Sequence, residues 1–487
     1  MSGTTGGADN SGGQIASSSD IPVGSVVAPT VFSKHRTGWT LFLLAAIYAN
    51  NYADRSILGI LAQPIKVELN ISDTQLGLLT GLAFATFYAL FGYPLARASE
   101  RIGRVNVITA CALVWSAMTA LCGTAANFTQ LMIYRFGVGI GESGLAAPAH
   151  SLISDYYPAS KRTSAIALFS IGVPIGALIG SVAGGWLAQN YGWRTAFVVA
   201  SLPGFLLAPL LRFTVKEPPR GNWDASRLAG AAAAPTPPLK EVVKKQFSTK
   251  TFRHFCIGTV VATFAGSGGG AFLGAYYVRR FAIDYTTVGL VLGMLSGVAA
   301  LMGTFLGGFI TDFLARWSKR WYAGLPALAL ACAAPIYLLG YMQTDWRMQV
   351  GIMLVSGTLV SLTTVPFYGL TQNLMPARMR ASAAAVIFFF INLIGLGFGP
   401  LFYGVMIDAV TKHLFAGYGL GEYVALCGNA GVKAAAENIA TACHTATAEG
   451  TRWTLAAGMI GYVWAAVHFF IASRSITHDL NEAAANN

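Results

Sequence analysis

The sequence predicts an all-α integral membrane protein in which twelve transmembrane helices form two pseudo-symmetric six-helix bundles. Of the 487 residues, 54% are hydrophobic and only 11% are charged, whereas a soluble domain carries roughly 25% charged residues. Twelve apolar segments approach or exceed the roughly 20 residues that a membrane-spanning helix needs. Two pairs of similar motifs lie at equivalent places in the first and second six segments. Such matched positions indicate a duplicated six-helix unit.

The predicted spans divide the chain into two halves joined by a linker. They cover residues 38–60, 74–98, 105–123, 128–150, 163–188, 194–213, 253–278, 286–314, 322–341, 349–371, 382–408 and 453–473. The predicted organisation is a disordered cytoplasmic tail over 1–36, an N-terminal bundle over 37–215, a cytoplasmic linker over 216–251, a C-terminal bundle over 252–475 with an outer loop over 409–452, and a cytoplasmic tail over 476–487. The first tail is rich in Gly and Ser, and the linker in Pro, Ala and Lys, which is typical of segments outside a packed core.

The basic residues predict the orientation of the chain. With the N-terminus inside, 22 of the 32 Lys and Arg residues lie in cytoplasmic segments, 8 lie outside, and Arg55 and Arg135 lie within spans. The positive-inside rule therefore predicts an inner (plasma) membrane protein with both termini in the cytoplasm. The net charge of +12 is then explained by contact with membrane lipids and not by a nucleic-acid partner. We expect a monomer.

The paired motifs lie at the cytoplasmic ends of the predicted helices. "PASKRTSA" (158–165) after the fourth span matches "PARMRASA" (376–383) after the tenth. "ARASERIGR" (96–104) after the second span matches "GFITDFLAR" (308–316) after the eighth, and each places an acid, Glu100 or Asp312, before arginines.

Four charged residues occur inside the first and fourth spans, within "NNYADR" (50–55) and "YRFGVGIGES" (134–143). Arg135 and Glu142 are seven residues apart, about two helical turns, and therefore share a face. Depth along the helices predicts that Asp54 pairs with Arg135 and that Glu142 lies deeper. Arg55 lies 100° around the helix from Asp54, so it faces a neighbouring helix or reaches outward.

Ionisable side chains at bilayer depth usually mark substrate or proton paths. The alternative is an Asp54–Arg135 salt bridge that only fixes helix register, but the third charge, Glu142, has no purpose in that interpretation. The sequence therefore predicts a charge switch in which Asp54 and Glu142 take up protons and Arg135 alternates between carboxylate and substrate. Further candidate contacts are Asn51, Tyr52, Arg55 and, unless it only caps a helix, Tyr368 in the tenth span.

The two six-span halves, the basic central loop and the paired loop motifs resemble the major facilitator superfamily. The loop after the second span departs from the family pattern, with Ala96 where Gly is expected and Glu100 in place of Asp. The resemblance implies cytoplasmic gate motifs whose acids hold helix ends by contacting arginines and neighbouring helix termini. The residues concerned are Glu100, Arg104, Asp155, Arg162, Asp312, Arg316 and Arg380.

The charged spans also resemble the Spinster branch of that superfamily. The matching positions are Asn51, Tyr52, Asp54 and Arg55, followed by Arg135, Gly139, Gly141, Glu142, Ala147, Pro148 and Asp155. This resemblance implies proton-coupled transport of a small amphipathic substrate, a lipid such as phosphorylated sphingosine or a lysophospholipid. An alternative is the organic-anion branch, which has similar first and fourth spans and transports small carboxylates or drugs. The run "GESGLAAP" (141–148) favours the lipid interpretation.

Other features bear on function class. A membrane enzyme is disfavoured because the sequence has no HExxH, GxSxG or Walker-type phosphate loop, and we expect no cofactor and no metal. Cys427 and Cys443, sixteen residues apart in the outer loop, predict a disulfide. The glycine run 268–270 predicts a bend or break in the seventh span, with tight helix packing as the alternative. His468 in the last span is predicted to be structural.

Overall fold

The chain folds into helices that correspond to the twelve predicted spans. The computed structural model describes Gly3 and residues 30–223, 238–364, 366, 370, 374–375, 379–427 and 436–485. Throughout this described part the regular structure is helical. We call the bundle end that carries Leu69 and Asp73 the outer end, following the predicted topology, and the opposite end the inner end.

Spans 1–6 form the N-half of the molecule. They are Lys34–Leu69, Asp73–Ile102, Arg104–Cys122, the pair Phe128–Ser143 and Ala146–Tyr156, Ala159–Ser170 with the first part of Gly172–Thr214, and the rest of Gly172–Thr214. Spans 5 and 6 are divided at Gly192, whose φ of 80° and ψ of 164° are not helical. Glycine adopts such a positive φ without the steric cost that a side chain would bring.

Spans 7–12 form the C-half. They are Lys250–Phe281, Tyr285–Ala315, Trp321–Tyr341, Trp346–Ser361, Arg380–Ala416, which includes a π-helical segment at Ile391–Phe398, and the pair Glu437–Ala457 and Ile460–Ala485. A short helix, Leu239–Ser248, precedes span 7, and another, Tyr423–Cys427, lies in the outer loop.

Spans 1 and 4 are less apolar or less continuous than most of the others. In the described residues, eight helices are long and apolar enough to cross a membrane, and one of them, Ser160–Thr214, contains both spans 5 and 6. Span 1 is not among them because polar and charged residues lower its hydropathy, and spans 4 and 10 because their helices are short. The spans that are too short or too polar by these two conditions therefore include spans 1 and 4, which carry the charged residues of the N-half.

The two halves touch at the outer end through glycines. A methyl group added to Gly77 in span 2 would lie 2.2 Å from the carbonyl oxygen of Pro400 in span 11. One added to Gly185 in span 5 would lie 2.3 Å from the carbonyl oxygen of Tyr285 at the start of span 8. Small residues permit this contact between helix backbones, so the outer end of the cleft between the halves is closed.

Three predicted boundaries or shapes differ from the structure. Span 1 begins at Lys34, inside the tail predicted over 1–36, because the Ser33 hydroxyl accepts a hydrogen bond from the Arg36 amide and caps the helix. Span 12 continues to Ala485, through most of the segment predicted as a tail. Of the bend or break predicted at 268–270, the break was wrong. Span 7 is one continuous helix, and Gly268 packs against the ring of Tyr403, which is the alternative of tight packing.

The outer loop contains the disulfide between Cys427 and Cys443, whose Cα atoms are 5.5 Å apart. Around it Phe415, Ala442 and Ala446 form a small buried cluster separate from the main core. We expect non-reducing mass spectrometry of the purified protein to find a peptide cross-linked between positions 427 and 443. The exposed thiol of Cys332 is the internal control for alkylation, and alkylation of Cys427 and Cys443 without reductant would contradict the disulfide.

Candidate functional site

Four charged side chains from spans 1 and 4 lie within the N-half, three of them buried and Arg55 partly buried. Asp54 and Glu142 are each 1% exposed and Arg135 is 3% exposed, while the side chain of Arg55 is 19% exposed. Burying an ion is costly unless it is paired and hydrogen-bonded. The partners of these four groups therefore determine what the site can do.

Arg55 and Glu142 form the ion pair of the site. The Arg55 Nε donates a hydrogen bond of 2.6 Å to the Glu142 Oε2. The guanidinium carbon also lies 4.7–5.0 Å from the ring centres of Tyr52, Phe84 and Tyr88. Aromatic faces attract a cation electrostatically, more strongly where water is excluded. Arg55 is thus held by one carboxylate and three rings.

The predicted Asp54–Arg135 ion pair was wrong. Asp54 instead accepts a hydrogen bond of 3.3 Å from the Thr119 hydroxyl in span 3. In the part of the chain that the structure describes, Arg135 forms no salt bridge, and its guanidinium lies 5.4 Å from the Phe84 ring centre. The long Arg55 side chain reaches Glu142 deeper in the bundle, while Asp54, 100° around the helix, faces span 3.

Several buried polar atoms of the site lack a hydrogen-bond partner among the described residues. They are the Asn50 and Asn51 Nδ2 atoms, the Asp54 Oδ1, the Arg135 Nε and the Glu142 Oε1. Buried polar groups in proteins are normally hydrogen-bonded, so a cluster of exceptions needs an explanation. Donors and acceptors of both charges are therefore available here to a ligand or to water.

Glycines bring span 4 close to its neighbours. A methyl group added to Gly139 would lie 2.7 Å from the carbonyl oxygen of Phe84, and one added to Gly141 would lie 2.7 Å from the backbone nitrogen of Trp115. Spans 2 and 3 can therefore approach the charged face of span 4 and place Phe84 beside both arginines.

Of the other candidates, Tyr52 and Asn51 lie in the site and Tyr368 lies outside the described residues. Phe84, Tyr88 and Thr119 were not predicted as members of the site. Phe84 and Tyr88 are four residues apart and therefore share a helix face, which was the signal available for them. The rotation of span 2 that turns this face toward Arg55 cannot be read from the residue pattern.

A second buried cluster joins the inner ends of the N-half helices around Arg104, which is 0% exposed. Its Nη1 donates to an Asp155 carboxylate oxygen, and its Nε donates to the Glu217 Oε1 at 2.6 Å. Glu217 also accepts a hydrogen bond of 2.9 Å from the Val105 amide at the start of span 3. Glu217, just after span 6, was missed from sequence because it lies outside the repeated motifs.

The remaining gate-motif residues make simpler contacts. The expected contact of Glu100 with a neighbouring helix end was wrong, since it pairs with Arg97 on its own helix at 3.1 Å and Glu217 occupies the helix terminus. The Arg162 Nη2 donates to the Ser154 carbonyl at 3.0 Å. Within the described residues, Asp312 and Arg316 form no ion pair. Arg380 begins span 11, and its side chain is outside the described part.

Comparisons with known proteins agree with this architecture. Residues 44–400 match the model of the Major Facilitator Superfamily. The chain belongs to the Major Facilitator Superfamily. It is 32% identical to a bacterial homologue of the human lysosomal transporter Spinster, solved in inward-facing unoccupied and occupied conformations with TM-scores of 0.80 and 0.81, each alignment covering 92% of this chain and 99% of that one. The predicted superfamily and its likeness to Spinster are therefore confirmed.

Two curated relatives broaden the comparison. An MFS-type efflux pump of Mycolicibacterium smegmatis is 28% identical over 78% of this chain and 87% of its own length. The hexuronate transporter of Bacillus subtilis is 32% identical over 44% of this chain and 49% of its own length. The protein is thus a multi-pass membrane transporter of the Major Facilitator Superfamily.

An ion cluster joins the two halves at the outer end of the molecule. Arg279 in span 7 donates to the two Asp73 carboxylate oxygens at 2.6 and 3.1 Å. Lys66 donates to the same carboxylate at 2.5 Å. Asp408 in span 11 accepts from the Asp73 and Thr74 amides at 3.1 and 2.8 Å. This cluster was not predicted from the sequence, because its members lie up to 335 residues apart.

Proposed function

We propose that this superfamily member transports an amphipathic lipid with an anionic head group, such as a phosphorylated sphingosine or a lysophospholipid, by proton-coupled alternating access. The observation that carries the proposal is the buried Arg55–Glu142 pair beside Arg135, which has no salt-bridge partner among the described residues. The proposed setting is an inner (plasma) membrane with both chain termini in the cytoplasm.

The charge arrangement supports exchange between a proton and an anion. With Asp54 and Glu142 ionised, the four side chains sum to zero charge. A proton on Glu142 removes the negative charge that holds Arg55 and leaves the four side chains with a net charge of +1. A phosphate or carboxylate accepts hydrogen bonds from guanidinium groups in bidentate fashion. Asp54, whose Oδ1 lacks a partner among the described residues, is the second proposed proton acceptor.

The lipid assignment rests on two supports. One is the likeness to the solved homologue of Spinster over nearly the whole chain. The other is the apolar C-half, whose charged residues lie near helix ends, so that a cleft between the halves offers an acyl chain an apolar wall. The second candidate is a small organic acid, favoured by the similarity to the hexuronate transporter.

A reconstituted transport assay tests the proposal. Purified protein in proteoliposomes receives a pH gradient and a radiolabelled lysophospholipid, glucuronate or benzoate. We expect gradient-dependent transport of the lysophospholipid and no transport of glucuronate or benzoate. Transport of an acid without transport of the lipid would favour the second candidate substrate. Lipid transport at the same rate with and without the pH gradient would contradict proton coupling.

Arg135 is expected to set affinity for the anionic head group. Replacing it with Met removes one charge-assisted hydrogen-bonding partner, which is typically worth about 1.5–3 kcal/mol, or roughly 10- to 150-fold in affinity. The measurement is the KM for lysophospholipid in the same assay. Arg135→Lys, which keeps the charge, should lose less. Equal KM values in wild type and Arg135→Met would contradict the role.

Asp54 is expected to matter for coupling more than for folding. Asp54→Asn keeps the shape and the hydrogen bond from Thr119 but cannot bind a proton reversibly. We expect the variant to exchange labelled for unlabelled lipid without a gradient, yet to accumulate none when a gradient is imposed. Gradient-driven accumulation at the wild-type rate would show that Asp54 is not a proton acceptor.

A further inference from the structure

A second pair of titratable side chains lies away from the charged site, between spans 7 and 12 in the C-half. The Nδ1 atoms of His254 and His468 are 2.9 Å apart, and the ring centres are 5.2 Å apart. Ionisable groups within membrane helices are costly and usually functional. The prediction that His468 is only structural does not explain why two imidazoles meet here.

The pair borders the surface of the bundle that faces lipid. Around His468, the apolar side chains of Val463, Trp464, Val467 and Phe470 are 49–57% exposed. Both histidines are themselves only partly buried. His254 lies about one helical turn from Lys250, the first residue of span 7. The imidazoles are therefore at the depth where head groups meet the acyl region at the inner end.

The charges near the pair are mostly positive. Lys250 and Arg253 act electrostatically on His254, and Arg474 lies on the inner part of span 12. Asp479 is an acid of this region. Its carboxylate accepts a hydrogen bond of 2.9 Å from the Thr251 amide and lies 3.3 Å from the His478 Nδ1. Span 9, which packs on span 12, has no Asp, Glu, Lys or Arg in Trp321–Tyr341. The helix that packs on span 7, Leu239–Ser248, carries Lys240, Glu241, Lys244 and Lys245.

The hydrogen bond between the rings determines what they present to the membrane. One Nδ1 donates and the other accepts, so the neutral pair exposes one Nε2–H and one bare Nε2. When one more proton is bound, the shared hydrogen bond remains and both Nε2 atoms become donors. Such a singly charged pair of donors matches the oxygens of a phosphodiester.

We propose that His254 and His468 bind the phosphate of an anionic phospholipid in the leaflet at the inner end, together with Arg253, next to His254 in the chain, and Arg474, somewhat less than two helical turns beyond His468. The apolar face around Trp464 receives its acyl chains. Basic residues at this level attract anionic lipids, and the bound lipid stabilises the contact between spans 7 and 12. This site is separate from the proposed transport site in the N-half.

Lipid binding is measured on the full chain by native mass spectrometry with added phosphatidylglycerol or phosphatidylcholine. We expect phosphatidylglycerol to bind wild type at least about fivefold more tightly, as one lipid-facing charge would give, and more so at pH 6 than at pH 8. The double variant His254→Asn/His468→Asn keeps an amide near each Nδ1 but loses both Nε2 donors, and should lose the preference. His413→Asn, at an exposed outer histidine, is the matched control and should keep it.

The same titration identifies the source of the phosphate. Free glycerol phosphate at millimolar concentration should not displace the lipid; displacement would assign the site to a soluble phosphate and overturn the proposal. An unchanged preference in the double Asn variant would also overturn it. If that variant does not fold, the variant Arg253→Gln/Arg474→Gln, which leaves the imidazoles intact, is measured instead. It must show a reduced preference for phosphatidylglycerol, and an unchanged preference would overturn the proposal.

Discussion

Replacing Arg55 with Met is expected to destabilise the protein more than any other single change in the charged site. Glu142, 1% exposed, would be left as a buried carboxylate without its 2.6 Å partner. Breaking a buried ion pair by removing one member typically costs about 3–5 kcal/mol. The measurement is thermal unfolding in detergent at neutral pH, together with lysophospholipid transport, which we expect to be lost.

A second variant separates the charge from the packing of Arg55. Arg55→Met/Glu142→Gln removes both charges, so no uncompensated ion remains. We expect it to recover most of the lost stability while transport stays absent, because the switch is gone. Lowering the pH should likewise narrow the gap between Arg55→Met and wild type, since a protonated Glu142 needs no cation. If the double variant is as unstable as Arg55→Met, the stability comes from packing against the rings and not from the pair.

Replacing Arg279 with Met is expected to open the outer end of the transporter. Arg279 joins the halves through Asp73 and also donates to Gln63 at 2.8 Å and to Thr451 at 2.9 Å. Its loss leaves Asp73, whose side chain is 2% exposed, with Lys66 alone. Only the conformation with a closed outer end makes these contacts. We therefore expect the ratio of outward-facing to inward-facing molecules to rise at least about tenfold, which requires only about 1.4 kcal/mol.

The population shift can be measured by electron–electron resonance between spin labels at positions 191 and 418. These positions lie at the outer ends of the two halves, where Tyr191 and Tyr418 are 60% and 47% exposed. The labels should move apart in Arg279→Met. Arg280→Met is the matched control, because Arg280 pairs with Glu449 inside the C-half. Equal distance distributions in the two variants would contradict a gate at Arg279.

The sequence predicted the fold because membrane insertion depends on properties that can be read along the chain. Long apolar runs and the bias of Lys and Arg toward one side produced the twelve spans and their two halves. The local shape of individual helices was harder to predict from the sequence. The run of Gly268 to Gly270 suggested a bend or a break, whereas the helix continues through it and Gly268 packs against the ring of Tyr403 in span 11.

The four charged residues of the candidate site were predicted from the sequence, but their pairing and their aromatic neighbours were not. Asp54, Arg55, Arg135 and Glu142 are recognisable because charges are rare in membrane helices. Depth along two helix axes then suggested Asp54 with Arg135. It ignored the length of the Arg55 side chain and the rings of Phe84 and Tyr88, whose direction depends on how span 2 rotates against span 1.

Contacts between residues far apart in the chain could not be predicted from the sequence. Glu217 meets Arg104 across 113 residues, and Asp408 meets Asp73 across 335. Glu217 follows the end of span 6 and Asp408 lies within the helix Gly399–Ala416, and neither belongs to a motif that would mark its partner. Only the packing of whole helices decides which of them meet.

The four charged side chains of the site all belong to spans 1 and 4, so in the proposed transport cycle they would move together as the N-half rotates against the C-half. Their mutual distances need not change during that rotation, and the proposed exchange of a proton for an anion would then be a local chemical equilibrium within one rigid half. The C-half contributes none of these four charged groups. Substitutions on its side of the proposed cleft would therefore change which substrates fit without changing the ion pair, so proton coupling and substrate selection would be separable properties of the same molecule.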